Sequence, residues 1–175
     1  MKTKVFILAA CLLAMQGIAG NKEGKNSKSG DSFKVYGYAT VNYKKGKEIE
    51  IKVFEENAQV QKTRTDKKGE FYLELMKNKH YVIEFSYPGT YPKRIIIDTK
   101  VADNIENFNN EFGFHCDLIL ADEFAGVKDT DILDFPSAII EFSEEEKALV
   151  PKVEYVKNYT IEVEKLLYEA SLRNE

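Results

Sequence analysis

Between Phe33 and Asp98 the apolar side chains recur at every second position, in runs too short for anything but strands. Phe33, Val35, Gly37, Ala39 and Val41 share one face of the first run, with Tyr36 and Tyr38 on the other. Ile49, Ile51 and Val53 alternate with Glu48, Glu50 and Lys52. Phe71, Leu73 and Leu75 alternate with Glu70, Tyr72 and Glu74, and Tyr81, Ile83 and Phe85 follow in the same rhythm. Ala58 to Thr65 is a weaker, more polar strand, and Arg94 to Asp98 another. Turn signals separate the runs. Lys44-Lys45-Gly46-Lys47 marks one turn, and Asp66-Lys67-Lys68-Gly69 predicts a hairpin. Each strand has one face that water must leave, and two sheets set face to face achieve this. The pattern therefore predicts a mainly β protein, an antiparallel β-sandwich.

The chain of 175 residues, 43% hydrophobic and 31% charged, is long enough for one domain with a packed core. Phe112 to Leu120 reads as the strand that closes the sandwich, which gives it the span 33–120. Residues 121–175 behave differently. Phe124 to Phe135 is acidic and irregular, Ser137 to Phe142 reads as one more strand, and Glu144 to Glu146 is an acidic run. From Val153 onward Val156, Tyr159 or Thr160, Val163, Leu166, Leu167 and Ala170 recur at helical spacing. This predicts an amphipathic C-terminal helix, either packed on the sandwich or presented to a partner.

Residues 1–19 have the order of a secretory signal peptide: Lys2 and Lys4, the apolar run Val5 to Met15, then small residues at Gly17 and Ala19. The apolar run is too short to span a membrane, so the mature chain is expected to carry no transmembrane helix. Cys11 follows Leu8-Ala9-Ala10 in the manner of a lipidation site, but the apolar run continues past it, which favours an ordinary leader. Residues 20–32 are polar and rich in Gly, Ser and Lys, as in a flexible tether. The expected location is the periplasm or the cell surface. Loss of the leader leaves Cys116 as the one thiol, so stability must come from the core and not from an internal disulfide.

A net charge of −4 disfavours nucleic acid as a partner. The charge is unevenly divided: residues 20–100 carry 17 basic and 11 acidic side chains, residues 101–175 carry 6 and 18. The simplest expectation is that the acidic part lies over the basic sandwich.

Val35-Tyr36-Gly37, the stretch Thr65 to Phe71 and Tyr81-Val82-Ile83-Glu84-Phe85 before a Pro/Gly loop together resemble the carboxypeptidase-regulatory-like domain. Lys93 to Thr99 and Asp134 to Ile140 are similar to the closing strand and following segment of one envelope-protein group with that domain. The resemblance covers about residues 33–142. It implies an immunoglobulin-like or transthyretin-like β-sandwich, an accessory, adhesive or scaffolding role in the bacterial cell envelope, and no catalytic residues to carry over. The loop Tyr87-Pro88-Gly89-Thr90-Tyr91-Pro92 is more elaborate than the pattern it resembles.

The residues offer little chemistry. His80 and Glu84 would lie about 13 Å apart along one strand, and His115 and Cys116 would point to opposite faces, so neither pair chelates a metal locally. Asp129, Asp131 and Asp134 supply oxygens for a loop calcium site but lack the glycine and bidentate glutamate of an EF-hand. No nucleophile motif, phosphate loop or dinucleotide fingerprint is present. No catalytic residue, metal or cofactor is therefore assigned. What remains is aromatic: Tyr36, Tyr38 and Tyr72 share the non-core faces of their strands, either covered by the C-terminal helix or open to a ligand. The expected function is an exported, non-catalytic module that binds an envelope protein. The alternatives are a carbohydrate-binding module using those tyrosines and, further off, a metal-dependent hydrolase.

Overall fold

The computed structural model describes residues 31–45 and 48–173, so the leader, most of the tether and the Cys11 site lie outside the described residues. Nine strands follow one another: β1 (Ser32–Val41), β2 (Glu50–Glu55), β3 (Ala58–Arg64), β4 (Glu70–Met76), β5 (His80–Ser86), β6 (Lys93–Asp98), β7 (Glu111–Leu118), β8 (Ala138–Ser143) and β9 (Ala148–Pro151). Two short 3₁₀ turns, Ala121–Phe124 and Asp131–Asp134, precede β8, and the helix α1 (Val153–Arg173) closes the chain.

The protein is mainly β, a sandwich of two sheets with a C-terminal helix. The smaller sheet has the order β4-β1-β7 and the larger β3-β2-β5-β6-β8-β9. The sheets are mixed and not antiparallel throughout, because β1–β7 and β6–β8 are parallel pairs. Both pairs join strands linked by long excursions, and a chain with that much slack can enter a sheet in either direction. The hairpin expected at Asp66–Gly69 is also corrected. The turn forms, with Gly69 at φ +83°, but it carries the chain from β3 in the larger sheet to β4 in the smaller one. Residues beyond 120 add β8 and β9 to the larger sheet, so the sandwich extends into the acidic region. Strand β1 begins at Ser32, inside the stretch expected to be tether.

The inward faces match the alternation. Phe33, Val35, Leu73 and Leu75 of the smaller sheet meet Ile51, Val53, Ile83, Phe85 and Ile97 of the larger, all at most 1% exposed. Phe71, Phe85 and Phe114 form an aromatic triangle with centroids 5.2–6.0 Å apart. Burying each such side chain contributes about 1.5–3 kcal/mol. Cys116 lies in this core, 1% exposed, with its neighbour His115 on the opposite face.

Helix α1 packs beside the sandwich, against the two 3₁₀ turns and β8. Val163 joins Phe124 and Leu133 in a second apolar cluster, with Tyr159, Leu166 and Leu167 partly buried around it. Tyr155 donates to the Pro136 carbonyl at 2.7 Å, and Arg173 to that of Gly126. The acidic region does not blanket the basic one. Among the described residues one ion pair, Lys34–Glu111 at 3.3 Å, joins the two parts, while Glu144 to Glu146 face solvent in the β8–β9 turn.

Candidate functional site

The outer faces of the two sheets differ in kind. Across the larger one runs a ladder of charges: Lys62 pairs with Glu50 at 2.8 Å, Glu50 with Lys52 at 3.3 Å, Lys52 with Glu84 at 3.4 Å and Glu84 with Arg94 at 2.9 Å. Hydrogen bonding to Lys62 holds the Glu50 carboxyl below its ordinary value. Such a face satisfies itself.

The outer face of the smaller sheet does not. Strand register sets its side chains in rows. Tyr72, Tyr36 and Gly113 form one row, and Glu70, Tyr38 and His115 the next. The rows begin with Glu74, Lys34 and Glu111 and end with Thr40 and Asp117. Tyr36 and Tyr38 are each 39% exposed and Tyr72 55%. The three tyrosines singled out in the sequence are thus brought onto one face, and the cover expected from the helix is absent because α1 packs elsewhere. Gly113 shapes the face. A Cβ there would lie 3.1 Å from Cε2 of Tyr36, so the ring occupies the space that the missing side chain leaves.

At the far end of the face sits a polar fastening that sequence reasoning missed. Thr40 is 3% exposed and Asp117 6%. The Thr40 hydroxyl donates to Oδ1 of Asp117, and the same oxygen accepts the Tyr43 N–H at 2.8 Å. The hydroxyl has one proton to give, so at its 2.8 Å contact with Nε2 of His115 the imidazole N–H must be the donor. His115 therefore carries its proton on Nε2. Burial, with the charges of Lys93 and Lys45, holds its pKa below the ordinary histidine value against the opposing pull of Asp117. Asp117 also fixes the turn after β1. Asn42 and Tyr43 take left-handed backbone at φ 51° and 61°, a conformation costly for Tyr, and the bond to Asp117 holds it. The signal for Asp117 was weak, since one acid in an otherwise apolar strand reads as any surface carboxylate.

This order of bonds suits a clamp. In a nucleophile–base pair the carboxylate orients the histidine and the hydroxyl proton points to nitrogen, whereas here the carboxylate takes the hydroxyl proton itself. Among the described residues no three of His, Cys, Asp and Glu form a group able to hold a metal ion, so Asp129, Asp131 and Asp134 do not converge on a cation site. A cavity of about 30 Å³ between Tyr91, Ile119, Phe124 and Val163 has room for a water and not for a metabolite. No helix of the described residues is long and apolar enough to cross a membrane.

No protein-family model matches the chain, and no curated protein matches it. Among solved structures it is similar to one titled "Crystal Structure of S.CueP", at 17% identity and a TM-score of 0.34, covering 52% of this chain and 64% of that one. A 3-chlorocatechol 1,2-dioxygenase from Rhodococcus opacus 1CP matches at 11% identity and a TM-score of 0.37, covering 55% of this chain and 63% of that one. The dioxygenase domain of a dioxygenase carbohydrate-binding protein fusion from Streptomyces sp. SirexAA-E matches at 12% identity and a TM-score of 0.36, covering 62% and 96%. The chain thus spans a little under two thirds of the length of the first two.

Proposed function

We propose that the protein is a non-catalytic binding module of the cell envelope and that the outer face of the three-stranded sheet is its working surface. The observation that carries this reading is the contrast between the faces. One neutralises itself with a charge ladder, while the other keeps three tyrosines exposed on a backbone fixed by hydrogen bonds on both sides of β1. Aromatic rings with few rotatable bonds lose little entropy on contact, so a rigid sheet presenting them is suited to binding. The tyrosines line an open sheet face and not the small cavity beside α1, which favours an extended ligand laid across the strands over a small molecule enclosed in a cleft. The leader-like start of the chain supports an address outside the cytoplasm.

The test is cross-linking in intact cells followed by fractionation and capture, comparing the wild-type chain with a Tyr36→Ala/Tyr38→Ala/Tyr72→Ala variant. The expected result is an envelope fraction containing a cross-linked partner that the variant loses while keeping its circular dichroism spectrum. Cytosolic recovery with an intact leader, or an unchanged cross-linking pattern, would overturn the reading.

A second surface has an observation of its own. Ile161, Tyr168 and Leu172 are exposed on the side of α1 opposite the buried Val163 and Ala170. Helical spacing lines them up, as in helices that dock proteins. A protein partner there would be lost on Ile161→Lys/Leu172→Lys, with the tyrosine face intact.

A further inference from the structure

We infer that Lys45 is a pH-dependent cover on Tyr38: while His115 is neutral the Lys45 ammonium rests on the Tyr38 ring, and a proton on His115 drives it off, so that acid bares the ring. The inference concerns the state of the face and holds whatever binds there. Three positions carry it. Tyr38 and His115 are lateral neighbours in the parallel pairing of β1 with β7, and both lie on the outer face. Lys45, just past the turn that follows β1, places its Nζ 4.6 Å from the centroid of the Tyr38 ring. His115 is tied to the sheet by its Nε2, 2.8 Å from the Thr40 hydroxyl.

The charged groups that act on His115 are Asp117 on its own strand, Lys93 at the start of β6, and Lys45. Glu70 ends the same row on the far side of Tyr38, and Glu123 accepts a bond from Asn42 at 3.1 Å in the turn. Burial is the main cause that holds the His115 pKa below its ordinary value. Asp117 opposes it, and Lys93 and Lys45 add to it. Such coupling is reciprocal: a lysine that disfavours the proton is itself disfavoured once the proton is on.

Nε2 already carries a hydrogen, so an arriving proton goes to Nδ1 and makes the ring a cation. Asp117 attracts the new charge and both lysines repel it. The groups are not equally free to respond. His115 is held on its strand and by Thr40. Lys93 donates to the Asp117 carbonyl at 2.6 Å and would lose that bond by leaving. Lys45 is exposed, and among the described residues its ammonium is held by the Tyr38 ring alone. An exposed cation–π contact is weak, and a second charge on the neighbouring residue sets a repulsion of comparable size against it. Lys45 is therefore the group that yields. Its ammonium swings into water, which solvates it well, and the Tyr38 ring is left clear.

The experiment is an NMR titration of the purified protein from about pH 7.5 to about pH 5, across the ordinary histidine range. It follows the Hε protons of Lys45 and the ring protons of His115. Protons above an aromatic ring resonate upfield, and Tyr38→Leu supplies the position they take with no ring beneath them. At the upper end of the range the wild-type Lys45 signals are expected upfield of that position. They should lose about half or more of the displacement in step with the His115 titration. In His115→Gln they should stay upfield at every pH. In Lys45→Gln, a change at an exposed side chain, the His115 midpoint should rise. Lys45 signals that keep their displacement while His115 titrates, or that move equally in His115→Gln, would overturn the inference. A His115 midpoint unchanged by Lys45→Gln would do the same. Dispersed amide spectra check that each variant folds, and if His115→Gln does not, the wild-type and Lys45→Gln titrations still decide. No partner enters the readout, so the working-surface reading stands or falls separately.

Discussion

A methyl group on Gly37 would lie 1.7 Å from the carbonyl oxygen of Phe114, inside the van der Waals radius of a backbone that two sheet pairings hold in place. Gly37 also sits at φ +155°, where side chains are rare. Gly37→Ala is therefore expected to destabilise the fold by at least about 2 kcal/mol, read as a fall in the midpoint of urea unfolding. In the sequence Gly37 looks like one more inward position of β1, and nothing there announces that β7 will pass so close. His115 makes a pH prediction. Its pKa is lowered in the folded chain, so below about 6.5 the unfolded state binds a proton that the folded state resists, and stability falls as pH drops through that window. Above that value the contribution is fully present. His115→Gln should flatten the difference in melting temperature between pH 7.5 and 5.5 relative to wild type. An unchanged slope would show that the imidazole is not the titrating group.

At the scale of elements, the turn Asp66–Gly69 and the strand β9 show where local signals stop. Asp66, Gly69 and the alternation on either side specify a reversal, and the reversal occurs. They do not specify whether the two strands pair with one another. Here β3 pairs with β2 and β4 with β1, so the two strands that flank the turn lie in different sheets. Strand β9 escaped notice because Ala148–Pro151 is four residues long and ends in a proline, which suits a sheet edge and offers no periodicity. The helix was legible because its apolar spacing persists over 21 residues. Its role as an independent layer gives a prediction. Ending the chain after Lys152 should leave both sheets folded, since the second cluster and not the main core loses Val163. The cost should be about 4 kcal/mol for Val163 and the half-buried Leu166 and Leu167, seen as a lower melting temperature with retained β-type circular dichroism. A truncated chain that fails to fold would show the helix to be part of the nucleus.

For the whole molecule, stability rests on one apolar layer between the sheets. Leu73, fully buried in β4, faces that layer, and Leu73→Ala should cost about 2–5 kcal/mol in equilibrium unfolding. The same change at Met76, more than half exposed at the strand's end, should cost little. The uneven charge of the chain does not resolve by folding the acidic part over the basic part. The acidic segment is drawn to the far edge of the larger sheet by the pairing of β8 with β6, and its carboxylates remain in water. Water solvates a carboxylate well, so a surface ion pair offers little reward for a different topology.

Period-two alternation settled on its own that the chain is a β-sandwich, which residues face inward, that Cys116 and His115 part to opposite sides, and that Tyr36, Tyr38 and Tyr72 face away from the core. Those properties follow from local geometry, because a pleated strand sends alternate side chains to opposite faces whatever it pairs with. Tertiary structure decided the mixed strand order, the closeness of Phe114 to Gly37, the Thr40–Asp117–His115 fastening and the bareness of the tyrosine face. Each depends on residues far apart in the chain meeting, and the pairings that bring them together follow from the burial of the whole apolar surface at once, a sum that no single segment records.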